Sequence, residues 1–181
     1  MKGPVILVGH SIGGLLVNMY AHQRPQQVAG LVFVDSSHPN QGGKFRKALP
    51  TALNDAFDLH GTPPESWDSL EARKQGETDD MRSGSLGNKP VVVLTADTTL
   101  VDRAATDWTK ENIWAGYNED VDRAEKTVWK GLQEQYAGLS NNTRHTEVRG
   151  SSYYIQHHNP EVVVEAIRQV VEAVRTGEPL V

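Results

Sequence analysis

The residues best placed to do chemistry are Gly9-His10-Ser11-Ile12-Gly13-Gly14, a G-x-S-x-G pattern between an apolar run and a helical pattern. In that setting the glycines permit a tight strand-to-helix turn. The turn forces Ser11 into a strained conformation and lifts its hydroxyl above the end of a sheet. The N–H of Ile12, at the start of the new helix, can then donate to an oxyanion forming on an acyl carbonyl. The chemistry this suggests is covalent catalysis by a serine through an acyl-enzyme. A phosphate-binding loop fits less well, because the chain has neither Gly-Lys-Ser/Thr here nor a G-x-G-x-x-G.

The elements that must position this serine can be read from apolar spacing. Pro4 to Val8 is a short run rich in β-branched residues, which predicts a buried strand. Leu15, Leu16, Met19 and Tyr20 follow at helical spacing, and the pattern stops near Arg24-Pro25. Val28 to Val34 and Pro90 to Thr95 read as further strands, all three expected to be buried on both faces. Val121, Ala124, Val128, Leu132, Tyr136 and Leu139 form one helical stripe over Asp120 to Leu139, with Glu, Lys and Gln opposite. His145 to Arg149 is a short fourth strand. Asn159-Pro160-Glu161 then supplies an N-cap, a first-position proline and an acid for a last helix. Its sheet-covering face is Val163, Ile167, Val170, Val171 and Val174, and it ends at Gly177. Strands alternating with helices give an α/β class with a mostly parallel sheet of about four strands. The expected organisation is one domain, with a core of 1–35 and 89–181 and an inserted lid over about 36–88. That lid is rich in Gly, Pro, Ser and charge, with isolated anchors at Leu49, Leu53, Phe57, Leu59, Trp67 and Leu70.

Composition narrows the function. A chain of 181 residues has room for one core. Eighteen Lys and Arg against 23 Asp and Glu give a net charge of −5, with no basic stripe, so nucleic acid is not an expected partner. There is no Cys, hence no disulfide, thiolate metal site or Cys nucleophile. No 18-residue apolar run and no signal-peptide cleavage site are present, which points to a cytoplasmic protein away from membranes. Histidine spacing offers no metal site, and no cofactor is expected. Asn141-Asn142-Thr143 reads as a loop.

The sequence resembles the α/β-hydrolase superfamily, particularly its small esterase-like members. The segments that carry the resemblance are Val5 to Gly14, Val28 to Pro39, Pro90 to Thr95 and Gly150 to Glu161. The resemblance implies a partial α/β-hydrolase fold, with Ser11 as nucleophile and the Ile12 N–H as half an oxyanion hole. It also implies an acid after a later strand and a histidine after the last, the histidine taking the serine proton and the acid orienting the histidine. The implied substrates are carboxylic esters or similar small acyl compounds. For the acid, Asp35 closes the strand after the serine unit and is slightly favoured, with Asp97, which follows the next strand, and Asp102 behind it. In the family's Gly-x-x-Asp spacing Thr99 would hold the acid position. His10 and His38 flank these residues and are candidates to line the pocket, His10 as a substrate contact.

Two departures matter. Where the family has Gly-x-x-His before the last helix, this chain reads Gly150-Ser151-Ser152-Tyr153, so Tyr153 stands in the histidine position. A phenol, with a pKa of about 10, is a poor acceptor for a serine proton. Loss of the histidine in serine proteases costs roughly a millionfold in turnover, so strongly impaired hydrolysis is expected. A non-catalytic binder of small ligands or a protein partner is the alternative. His157 and His158 lie four and five residues on, up to roughly 13 to 17 Å away along an extended chain at about 3.3 Å per residue. The second departure is that the family's strands before the nucleophile have no counterpart. That leaves Val5 to Val8 as an apolar edge able to self-associate; either Met1 is an internal start or the chain is a reduced member that dimerises there.

Overall fold

A computed structural model describes residues 3–51, 81–97 and 118–180. In chain order these form β1 (Val5–His10), α1 (Ile12–Gln23), a 3-10 turn (Pro25–Gln27), β2 (Val28–Val34), α2 (Gln41–Ala48) and β3 (Val91–Ala96). After them come α3 (Glu119–Ala137), β4 (Thr143–Val148), α4 (Ile155–His158) and α5 (Pro160–Thr176). The four strands make one sheet in the order β1-β2-β3-β4, and every pairing is parallel. This is the partial α/β-hydrolase architecture expected from the sequence. The lid anchors Leu53, Phe57, Leu59, Trp67 and Leu70, together with Thr99 and Asp102, lie outside the described residues.

The sheet is covered on both faces, because alternate residues of the central strands point to opposite sides. Leu31, Phe33, Val91 and Val93 pack with Ala21 of α1 and Tyr136 of α3. Val32, Val34, Val92 and Leu94 pack with Val163, Ala166 and Val170 of α5. Continuous apolar runs in β2 and β3 are thus required by two-sided burial. β1 differs from expectation. Among the described residues it is paired only with β2 and is mostly half-buried, and Val8 is 44% exposed.

Each helix face is also shifted from the apolar stripe in the sequence. α1 buries Gly14, Leu15, Asn18 and Ala21, whereas Leu16 and Tyr20 are exposed. α3 buries Val121, Glu125, Trp129, Leu132, Gln133 and Tyr136, a face that takes in polar residues expected to point outward. In α5, Val171 and Val174 are exposed, and the packed face is Val163, Ala166, Val170 and Ala173. Pro160 does open α5 and Gly177 ends it in the left-handed region at φ 73°, but the Asn159 side chain makes no capping bond.

Candidate active site

β1 ends at His10, paired in register with Val34, so Ser11 and Asp35 emerge side by side at the ends of neighbouring parallel strands. These are the two non-glycine residues with positive φ among the described residues, 54° for Ser11 and 42° for Asp35. Such conformations cost about 1–3 kcal/mol each and persist only where the surroundings enforce them. At Ser11 the enforcement is visible. Its carbonyl accepts the N–H of Gly14 at 2.9 Å and of Ser37 at 2.9 Å, and its own N–H reaches the Val34 carbonyl at 3.3 Å. Two glycines make the turn sterically possible. A Cβ on Gly9 would lie 2.5 Å from the Gly13 carbonyl oxygen, and one on Gly14 would overlap Ser36 Oγ. Gly13, although part of the G-x-S-x-G pattern, has open space where a Cβ would sit. Ile12 is the first residue of α1, where the helix gives its N–H no acceptor.

The loop after β2 braces this turn and is itself braced by α3. Ser36 Oγ donates to the Gly9 carbonyl at 3.0 Å. From α3, the Trp129 indole N–H donates to Asp35 Oδ1 at 2.8 Å, Gln133 Nε2 to the Ser36 carbonyl at 2.8 Å, and the Tyr136 hydroxyl to the Ser37 carbonyl at 2.6 Å. Asp35 Oδ1 also accepts the Ala96 N–H at 3.1 Å, and Asp35 is fully buried. Asp35 therefore ties together β2, β3 and α3. Residues 129, 133 and 136 lie on one helical face, yet no apolar periodicity in the sequence singles out Gln133 or the indole N–H of Trp129. His38 completes the loop. It is buried, accepts the Asn40 N–H on Nδ1 at 3.1 Å, and lies edge-on to the Tyr136 ring at 5.2 Å. Burial, reinforced by the charge of Lys44, lowers its pKa to about 3, so it is neutral at ordinary pH.

Across the sheet, Asp97 is half-buried just after β3, and its Oδ2 accepts the Gly150 N–H at 2.9 Å. Gly150, at φ 67°, turns the chain out of β4 into the loop that carries Tyr153. That loop is brought against the serine turn. His10 Nε2–H donates to the Tyr153 carbonyl at 3.1 Å, and the two rings lie 4.6 Å apart between centroids. Tyr154 joins the same cluster, 4.8 Å from the Tyr153 ring and 5.7 Å from that of His10. Thus Ser11, His10 and Tyr153 come together, with Asp97 at the base of the Tyr153 loop and Asp35 buried behind Ser11.

No histidine among the described residues is hydrogen-bonded to Ser11. His22 is held by the Asn18 carbonyl and Ser85 Oγ, each at 2.9 Å. His157 packs on Tyr154, and His158 Nδ1 is hydrogen-bonded to Ser152 Oγ. His145 on β4 meets Thr95 Oγ1 at 2.7 Å, and burial lowers its pKa. It lines a cavity of about 420 Å³ between α3 and the ends of β3 and β4, together with Asp97, Glu125, Trp129 and Glu147. Neither Ser11 nor Tyr153 borders that cavity. Among the described residues no group of three His, Asp or Glu side chains is arranged to hold a metal ion, and no helix is long and apolar enough to cross a membrane.

Comparison with known proteins bears on the fold. Residues 2–66 match the family model of the alpha/beta hydrolase fold. Over 76 residues, 42% of the chain, the sequence is 36% identical to lipase LipV of Mycobacterium tuberculosis. Over 175 residues it is 25% identical to YqjL of Bacillus subtilis. The aligned regions cover 26% and 58% of these relatives, so the chain spans only part of their length. Among solved structures, alpha/beta hydrolase domain-containing protein 10 from mouse superposes with a TM-score of 0.51 at 15% identity, over 98% of this chain and 64% of the other. Residues 2–66 thus match the alpha/beta hydrolase family model, and the serine at a strand-to-helix turn and the parallel sheet in the order found here give the chain a partial α/β-hydrolase fold.

Proposed function

We propose that this chain carries the nucleophile half of a serine hydrolase acting on carboxylic esters or similar small acyl compounds, through an acyl-enzyme. Ser11 is the nucleophile, and the Ile12 N–H is one donor to the oxyanion. Asp97 is the orienting acid, since it holds the base of the loop on which the histidine of the family belongs. Asp35 serves as a scaffold carboxylate, with Oδ1 committed to Ala96 and Trp129. Tyr153 occupies the place of the base and His10 fixes it there, so hydrolysis by the chain as it stands is slow. The observation that carries this reading is the positive φ of Ser11, held by hydrogen bonds to the loop after β2. The similarity to a lipase over 42% of the chain favours ester substrates.

Tyr153 favours a second reading, a binding protein that keeps the fold without turnover. Labelling by a fluorophosphonate separates the two. Labelling that is lost in Ser11→Ala supports the hydrolase, and a folded, unlabelled protein that binds esters unchanged supports the binder.

A further inference from the structure

We propose that Ser152 and His158 form a second nucleophile-base pair, separate from Ser11, which accepts an acyl group from a small activated ester. The pair is defined by a hydrogen bond between Ser152 Oγ and His158 Nδ1. Ser152 Oγ also accepts the Tyr154 N–H at 3.2 Å. That N–H takes one lone pair of the hydroxyl oxygen, and the proposed pair uses the tautomer protonated on Nε2, in which the Ser152 hydroxyl donates to Nδ1. A serine hydroxyl within hydrogen-bond reach of a histidine nitrogen has the geometry that activates a hydroxyl nucleophile.

The surrounding turn holds both partners. The N–H groups of His157 and His158 donate to the Tyr154 carbonyl at 2.9 and 3.1 Å, and the Asn159 N–H donates to Ile155 at 2.8 Å. Ile155 is fully buried and anchors the turn beneath the sheet end. Ser152 is half-buried and His158 exposed, so an ester can approach from solvent. Beside them Tyr154, 48% exposed, offers an aromatic face that suits an aryl ester.

In the reaction, Ser152 Oγ bonds to the acyl carbon while its proton passes to His158 Nδ1. The carbon–oxygen bond to the leaving group then breaks, and the proton moves from the imidazolium to the departing oxygen. The products are acyl-Ser152 and the free alcohol or phenol. No carboxylate among the described residues is hydrogen-bonded to His158, so the pair is expected to take up one acyl group and release it slowly.

The test is incubation of the full chain carrying Ser11→Ala with p-nitrophenyl acetate, followed by peptide mapping of the acetyl group. The expected result is acetylation at Ser152, slowed about 100-fold when His158→Gln is added, the scale of lost general-base assistance. Circular dichroism confirms folding, and His158→Asn gives the same readout if the glutamine variant does not fold. Acetyl on lysines alone, or a rate at Ser152 that is indifferent to His158→Gln, overturns the proposal. Failure of the Ser11 reading is distinguishable, because it appears in the Tyr153→His background as p-nitrophenolate turnover that is equal with and without Ser11→Ala.

Discussion

At the β1–β2 end of the sheet the polar groups around Ser11 are held from several directions: two N–H groups on its carbonyl, Ser36 on Gly9, and three side chains of α3 on the loop from Asp35 to Ser37. At the β4 end the loop bearing Tyr153 is tied to neighbouring strands by the half-buried Asp97 carboxylate and the His10 hydrogen bond, and otherwise by local bonds of its own turn. The first region is over-determined, which is what two non-glycine residues at positive φ require. The second presents the half-buried Ser152 and Tyr153 and the exposed Tyr154 above the buried Ser151 and Ile155. The chemistry of such a site divides accordingly. Under the proposed function, positioning of Ser11 is a property of the fold, whereas proton transfer depends on the one side chain at position 153.

This contrast can be broken most severely at the glycines. Gly14→Ala drives a methyl into Ser36 and Gly9→Ala drives one into Gly13. Each is expected to lower unfolding free energy by about 3 kcal/mol or more. Gly13→Ala, in open space inside α1, is expected to be neutral or to stabilise by up to about 1 kcal/mol. Urea denaturation of the three variants checks both signs.

A smaller effect is expected at the carboxylate brace. Asp35→Ala leaves the Ala96 and Trp129 N–H groups without their acceptor and should cost about 1–3 kcal/mol in the same assay. His38 gives the buried end a pH signature. Its folded pKa lies below its unfolded value of about 6.5, so its contribution is complete above pH 6.5 and is lost as pH falls toward about 3. Stability should fall with a slope approaching about 1.4 kcal/mol per pH unit in that window, and His38→Gln should flatten it. The least effect on stability is expected at the exposed end. Asp97→Asn, which keeps an acceptor for the Gly150 N–H, should change stability by about 0.5 kcal/mol or less. In a Tyr153→His background it should nevertheless slow ester hydrolysis by about 100-fold or more, as the loss of an orienting acid does.

The sequence made the serine turn, the parallel strands and the end of the last helix legible, because each has a local cause. Gly9 to Gly14 needs small residues, β2 and β3 need apolar runs, and Gly177 needs positive φ. What it hid is tertiary. The burial of Trp129, Gln133 and Tyr136 follows from the polar loop they reach, so a period counted on apolar residues alone placed Gln133 on the solvent side. The exposure of Val8 follows from its place at a sheet edge, which its own sequence does not encode. The sequence favours Asp35 slightly over Asp97 as the acid, and it does not encode the surroundings of either. Their surroundings differ: one is fully buried behind the nucleophile, and the other is half-buried under the Tyr153 loop.

The most direct test of the central claim, that the nucleophile turn is assembled and lacks only a base, is p-nitrophenyl acetate hydrolysis by Tyr153→His with and without Ser11→Ala. The expected result is a Ser11-dependent gain of about 100-fold to 10,000-fold over the parent chain, the range of general-base assistance. A folded Tyr153→His protein that shows no Ser11-dependent gain would contradict it.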